Sequence, residues 1–229
     1  MKASIFTLGC RVNQYESDAI AEMLSAVGFT IVPFGEACDI TVINTCAVTA
    51  ESDRKSRQHI RRAKSFSPEG AVIVTGCYAQ IAKEGALEAG AAAVVGNGEK
   101  SKIADIALSL VNGERDISCV GDIMTAPYDR VSVSKPTRAR AYIKIEDGCE
   151  NRCAYCLIPS ARGKVRSKSP EAVLSEVRTL TEGGCRELVL TGIETASYGR
   201  DFDNGYRLAD LLEEVDAIPN IGRVRLGSL

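Results

Sequence analysis

No apolar run in these 229 residues approaches the roughly 18 to 20 needed to cross a bilayer. The opening MKASIFTLGCRVNQ also has no apolar stretch of the length a secretory leader uses. The expectation is a cytoplasmic chain with no membrane partner. Histidine occurs once, as His59 inside a basic stretch, where a solvated or RNA-facing role is favoured over metal ligation or catalysis. Net charge is low, at -2, and disorder is excluded by a composition of 45% hydrophobic and 25% charged residues, which suits one large globular domain or two small ones.

The small net charge conceals an uneven distribution. RKSRQHIRRAK, residues 54 to 64, holds six basic residues and no acidic one. Residues 131 to 168 hold nine, Lys135, Arg138, Arg140, Lys144, Arg152, Arg162, Lys164, Arg166 and Lys168, against Glu146, Asp147 and Glu150. Such runs are usually solvated faces, yet an acidic protein can present basic surface to a polyanion.

From residue 3 to about 112, short β-branched runs alternate with longer amphipathic stretches, which predicts an α/β domain built on a doubly wound parallel sheet. Strands are expected at 3–8, 29–33, 40–44, 71–75 and 92–95, and helices at 14–27, 50–65, 79–89 and 99–111. Asn13 or Ser17 is expected to cap the first helix and Thr49 the second. Residues 113–139 have no sustained period and read as a domain connection. A second β-loop-α-β-α-β series follows over 140–229, with strands at 141–145, 187–191 and 222–227 and helices at 170–182 and 206–216. It stops on a strand, leaving an edge that a complete domain would cover, so the expectation is the N-terminal portion of a longer protein.

Nine cysteines in a chain whose opening residues do not read as a leader are expected to serve metal or redox chemistry and not structural disulfides. Cys149, Cys153 and Cys156, in GCENRCAYCLIPSARG, have the spacing C-x3-C-x2-C. Three thiolates can hold an iron-sulfur cluster and leave one iron open to a substrate, whereas structural zinc would want a fourth ligand that the local sequence does not supply. Cys10, Cys46 and Cys77 each follow an expected strand, in TLGC, INTC and VTGC. Sites in parallel sheets form beyond the carboxyl ends of strands, so these three can share one metal group, or they can be packing residues. Cys38, Cys119 and Cys185 have no such pattern and read as packing thiols.

The C-x3-C-x2-C motif, with Tyr155 before its last cysteine, resembles that of the radical S-adenosylmethionine (SAM) superfamily. Together with TLGCRVNQYES, INTCAVTAESDRKSR and VTGCYAQ, it resembles the methylthiotransferase family over essentially the whole chain. LTGIETASYG and CLIPSARGKVRS look most like the branch acting on threonylcarbamoyladenosine beside the tRNA anticodon. The resemblance implies the first part of a partial (β/α) barrel after the N-terminal domain. It implies a [4Fe-4S] cluster on Cys149, Cys153 and Cys156 at which SAM is reductively cleaved, and a second [4Fe-4S] cluster on Cys10, Cys46 and Cys77 associated with the sulfur that becomes a methylthio group. It also implies a tRNA anticodon loop as partner and a reductant such as flavodoxin or ferredoxin. Gly192 and Glu194, at a strand end, are expected to meet the SAM amino group, and Arg162 the SAM carboxylate or RNA phosphate. Lys164 and Arg166 share the phosphate expectation, and Arg54, Lys55, Arg57, Arg61 and Arg62 have a weaker claim to it.

Overall fold

A six-stranded, wholly parallel sheet organises the first half of the chain, in a computed structural model that describes residues 1–47, 49–135 and 140–228. Arg138, counted above among the basic residues, and Leu229 lie outside the described residues. The strands are β1 (Lys2–Thr7), β2 (Thr30–Val32), β3 (Ile40–Thr45), β4 (Ala71–Gly76), β5 (Ala93–Val95) and β6 (Ile117–Cys119), in the spatial order β2-β1-β3-β4-β5-β6. Every residue of β3 and β4 is buried, as the central strands of a sheet covered on both faces must be. Their sequences, ITVINT and AVIVTG, accordingly read as continuous runs and not as alternating ones.

Helices α1 (Arg11–Ala26), α2 (Ala50–Phe66), α3 (Cys77–Ile81), α4 (Lys83–Glu88) and α5 (Ile103–Val111) connect these strands. Thr49 caps α2, its side chain accepting from the Ser52 N–H, with Glu51 and Asp53 in the first turn on the favourable side of the helix dipole. At α1 the expectation fails. The helix starts at Arg11 with Cys10 in the cap position, and Asn13 and Ser17 lie inside it with their side chains buried. The single helix expected at 79–89 divides at Ala82. A Cβ at Gly85 would lie 2.5 Å from the Tyr78 hydroxyl, so the break seats α4 directly on the buried tyrosine of α3.

The second unit contains β7 (Ala141–Lys144), β8 (Glu146–Asp147), α6 (Ile158–Arg162), β9 (Arg166–Ser167), α7 (Pro170–Glu182), β10 (Glu187–Thr191), α8 (Leu208–Asp216) and β11 (Arg223–Leu226). β7, β10 and β11 form a parallel sheet in the order β11-β10-β7, the opening strands of a (β/α) barrel, and β8 pairs antiparallel with β9. Ser169 caps α7, with Pro170 at its first position.

Two features join the units. β6 falls within the stretch expected to be a connection, yet it pairs with β5 and completes the first sheet; Val131 and Val133 then pack in the core of the second unit. α1 serves both cores: Ile20 and Leu24 pack with Ile40 and Ile73 of the first, while Tyr15 and Ala19 pack with Ile143 and Leu188 of the second. Among the described residues no helix is long and apolar enough to cross a membrane.

Candidate cluster centre

The order of the first sheet reverses between β1 and β3, which opens a crevice beyond their carboxyl ends. Cys10 and Cys46 lie past those two ends, and Cys77 begins α3 directly after β4. The loops touch. A Cβ at Gly9 would lie 2.9 Å from the Cys46 Cβ and 3.0 Å from its Sγ; one at Gly76 would lie 2.3 Å from the Thr45 carbonyl oxygen. Both glycines hold positive φ, +95° and +93°. Asn13 binds the turns together, its Nδ2 donating to the Leu8 oxygen (2.7 Å) and the Thr45 oxygen (2.9 Å). Cys46 and Cys77 are buried, and Cys10 is exposed at the mouth.

These contacts predict that Gly76→Ala destabilises the chain by about 2 kcal/mol or more, because it combines a disfavoured φ with a backbone clash. Gly184→Ala is the control, since that glycine has φ +91° but nothing within 4 Å of a new Cβ. Thermal denaturation of the two variants should show the larger fall for Gly76→Ala.

The second cysteine set sits beyond β7. Gly148 (φ +88°) is pressed against the backbone of Lys164, whose carbonyl oxygen lies 1.9 Å from a Cβ built there. The Cys149 N–H donates to the Gly163 oxygen at 3.1 Å, and the Cys156 N–H to the Cys153 oxygen at 3.0 Å, which fixes both ends of the loop. Glu194, just past β10, reaches back to it: its Oε2 accepts from the Asn151 amide at 2.7 Å and lies 3.5 Å from the Cys149 sulfur. Burial pushes the Cys149 thiol up, and the neighbouring Glu194 adds to this. For Glu194 burial acts upward too, but hydrogen bonds from Asn151, Ser197 and Cys149 hold its carboxyl below the usual range.

Glu146 is a residue that sequence reasoning missed. It is fully buried, its Oε2 accepting from the N–H groups of Ile193 (2.8 Å) and Glu194 (2.9 Å). A Cβ at Gly192 would lie 2.5 Å from the same oxygen, so this glycine is required for the carboxyl to hold the turn that carries Glu194. Burial pushes Glu146 up to about 8, against the lowering effect of those backbone donors. The available signal was an acid directly after the apolar strand AYIKI.

A cavity of about 60 Å³ joins the two sets, lined by Ala47 and Cys77 from the first unit and by Tyr155, Cys156, Leu157, Ile158 and Ala161 from the second. Its walls are largely apolar. Tyr155 is 89% exposed and stands at the rim. Among the described residues no group of three or more His, Cys, Asp and Glu side chains closes around a single metal ion. A four-iron cube, however, takes each thiolate on a different iron and so needs its ligands spread apart. Two sets of three soft donors, one on three abutting loops and the other along a single loop, with every cysteine free, fit that requirement better than they fit a tetrahedral zinc ion.

Arg162 is placed otherwise than expected. It is fully buried, with Nη1 on Glu16 (2.9 Å) and Asp147 (3.0 Å) and Nη2 on Asn13 (2.6 Å). Its charge is engaged by two carboxylates in the interior, so an RNA phosphate cannot reach it in this arrangement. Arg166 is likewise turned inward, donating to the carbonyls of Arg162 and Ala126, while Lys164 is exposed. His59 is half-buried, one face of its ring stacking on Phe6 with centroids 4.0 Å apart. On α2, Arg54 pairs with Glu51, Arg57 reaches the Tyr78 hydroxyl, and Arg61 and Arg62 are exposed. Cys38 and Cys185 are buried packing thiols, and Cys119 is half-buried beside Glu99.

Residues 2–96 match the model of "Uncharacterized protein family UPF0004", and residues 143–227 that of the "Radical SAM superfamily". The chain is 40% identical to threonylcarbamoyladenosine tRNA methylthiotransferase MtaB of Bacillus subtilis (strain 168), over 97% of this chain and 50% of that protein. It is 35% identical to ribosomal protein uS12 methylthiotransferase RimO of Desulforamulus reducens, over 97% of this chain and 51% of that protein. The chain thus spans about half the length of the curated relatives it matches. Its fold is similar to that of the radical S-adenosylmethionine methyltransferase TsrM from Kitasatospora setae, a structure with cobalamin and a [4Fe-4S] cluster bound (TM-score 0.59, 14% identity, 93% of this chain and 52% of that one). The chain carries a UPF0004 domain over residues 2–96 followed by a radical SAM domain over residues 143–227, and its likeness throughout is to the methylthiotransferases.

Proposed function

We propose that this chain provides the cluster-holding part of an enzyme that converts N6-threonylcarbamoyladenosine beside the tRNA anticodon to its 2-methylthio derivative. Cys149, Cys153 and Cys156 would hold one [4Fe-4S] cluster, and Cys10, Cys46 and Cys77 a second. When bound, the first group supplies the electron for reductive cleavage of SAM, and the second is the site associated with sulfur. The observation that carries this reading is an apolar cavity bordered by Cys77 from one set and Cys156 from the other. A site making a C–S bond needs a radical source and a sulfur source within reach of one substrate atom, with water kept out.

The protein's own contributions follow from the geometry. Glu146 holds the Gly192–Glu194 turn, so that the Glu194 carboxylate faces the cysteine loop, where it would take the cationic amino group of SAM. Leu157, Ile158 and Ala161 keep water from the gap between the sets. Exposed Arg61, Arg62 and Lys164 are available to RNA phosphate. The electron would come from a flavodoxin or ferredoxin, and the enzyme would work in the cytoplasm.

Mass spectrometry of tRNA nucleosides from cells with and without the gene tests the reading. Loss of 2-methylthio-N6-threonylcarbamoyladenosine with accumulation of its precursor is expected. A second reading, methylthiolation of a ribosomal protein, has the likeness to the uS12 enzyme in its favour. Unchanged nucleosides together with a mass shift in that ribosomal protein would reject the tRNA substrate.

A further inference from the structure

Five charged side chains, all buried, meet behind the first cysteine set. Glu16 of α1 lies 3.4 Å from Lys100, 2.9 Å from Lys144 and 2.9 Å from Arg162. Asp147 lies 3.0 Å from both Lys144 and Arg162. All five are almost completely buried. Three cations face two carboxylates, so the cluster of charges carries one surplus positive charge. Arg166, whose field also reaches Asp147, adds to the imbalance, and Glu146 nearby is held towards its neutral form.

Unbalanced charge in such an interior is costly unless an anion lies close by. Two asparagines lead from this charge to the cysteines. Arg162 Nη2 donates to Asn13 Oδ1, which lies 3.9 Å from the Cys10 sulfur. Lys100 Nζ donates to Asn97 Oδ1, while Asn97 Nδ2 faces the Cys77 sulfur at 3.9 Å and donates to the Ala161 carbonyl at 2.7 Å.

We infer that this buried network, through Asn97, raises the reduction potential of the cluster held by Cys10, Cys46 and Cys77. The inference rests on the proposed ligation of that cluster. Cluster potentials respond to net charge, to hydrogen bonds on the sulfurs and to solvent exposure. Taking up one electron from an external reductant adds negative charge, which a fixed surplus of positive charge and an N–H group aimed at a ligand sulfur both favour. Lys100 and Asn97 are therefore positioning residues that act on the cluster without binding it.

The test uses the full chain with Cys149, Cys153 and Cys156 replaced by alanine, reconstituted anaerobically so that iron resides on the first set alone. Midpoint potentials are read by electron paramagnetic resonance during a redox titration. Lys100→Met, which leaves two cations facing two carboxylates, is expected to lower the reduced-to-oxidised ratio at fixed potential about tenfold, or about 59 mV for a one-electron couple. Lys100→Arg should restore it. Asn97→Leu keeps all five charges and should lower the midpoint in the same direction, so it carries the test if Lys100→Met does not fold. Unmoved midpoints at normal iron content overturn the inference. So does loss of iron from both folded variants, which would mark the network as structural support only. Absence of a cluster from the parent would instead overturn the ligand assignment.

Discussion

Replacing Cys149, Cys153 and Cys156 together by alanine is expected to leave about half the bound iron and to reduce 5′-deoxyadenosine formation from SAM and dithionite to background. The three sulfurs occupy one loop of eight residues, whose ends are fixed by Cys149 on Gly163 and Cys156 on Cys153. No sulfur from the first set can substitute, because Cys10, Cys46 and Cys77 are tied to the ends of β1, β3 and β4 by glycine contacts and by Asn13. The complementary replacement of Cys10, Cys46 and Cys77 should also remove about half the iron while SAM cleavage persists. Iron analysis and chromatography of the nucleoside product measure both. Cleavage surviving the first replacement, or disappearing equally in both, would mean that the two sets do not have separate roles.

Glu16→Ala should lower stability by about 3 to 5 kcal/mol, the range found when one member of a buried charge group is removed. For a chain of this size that corresponds to a fall in Tm of roughly 6 to 20 °C, measured with no iron added. The reason is electrostatic. Among the described residues Glu16 is the only carboxylate within salt-bridge distance of Lys100 and one of two serving Lys144 and Arg162, so its loss leaves Lys100 unpaired and Lys144 and Arg162 on Asp147 alone. Although burial acts upward on Glu16, Arg162, Lys100 and Lys144 hold its carboxyl well below the ordinary value. A group depressed on folding contributes stability that is present above its unfolded pKa of about 4 and is lost as pH falls towards the folded value. Acid unfolding should therefore be steep below about pH 4 in the unaltered chain and shallower in Glu16→Gln. A Tm within 2 °C of the unaltered chain would show that the network contributes little to the fold.

Strand ends were legible because a buried parallel strand declares itself in sequence: INTC and VTGC each set a cysteine directly after an apolar run. The three-cysteine loop and the cap on α2 were local features and were equally open to reading. The charge network was not. Its members come from residues 13, 16, 97, 100, 144, 147 and 162 and meet only when α1 lies between the two sheets. Asn13 and Ser17 read as candidate caps of α1, and tertiary contact buried both of them, together with Glu16, inside the helix instead. Arg162 followed the cysteine loop closely enough to suggest ligand contact, but α6 turns it inward. His59 belonged to a basic run, and only the neighbouring strand revealed that Phe6 covers its ring. In each case a residue's polarity was readable and its neighbour was not.

The double packing of α1 has a mechanical consequence. A helix whose two faces are committed to different cores leaves no free joint between them, and the buried charges rivet the same seam from both sides. The two halves cannot open and close like jaws without exposing those charges. The span between Cys77 and Cys156 is thus set by the girders of the fold, and whatever crosses it must come to a gap of fixed width.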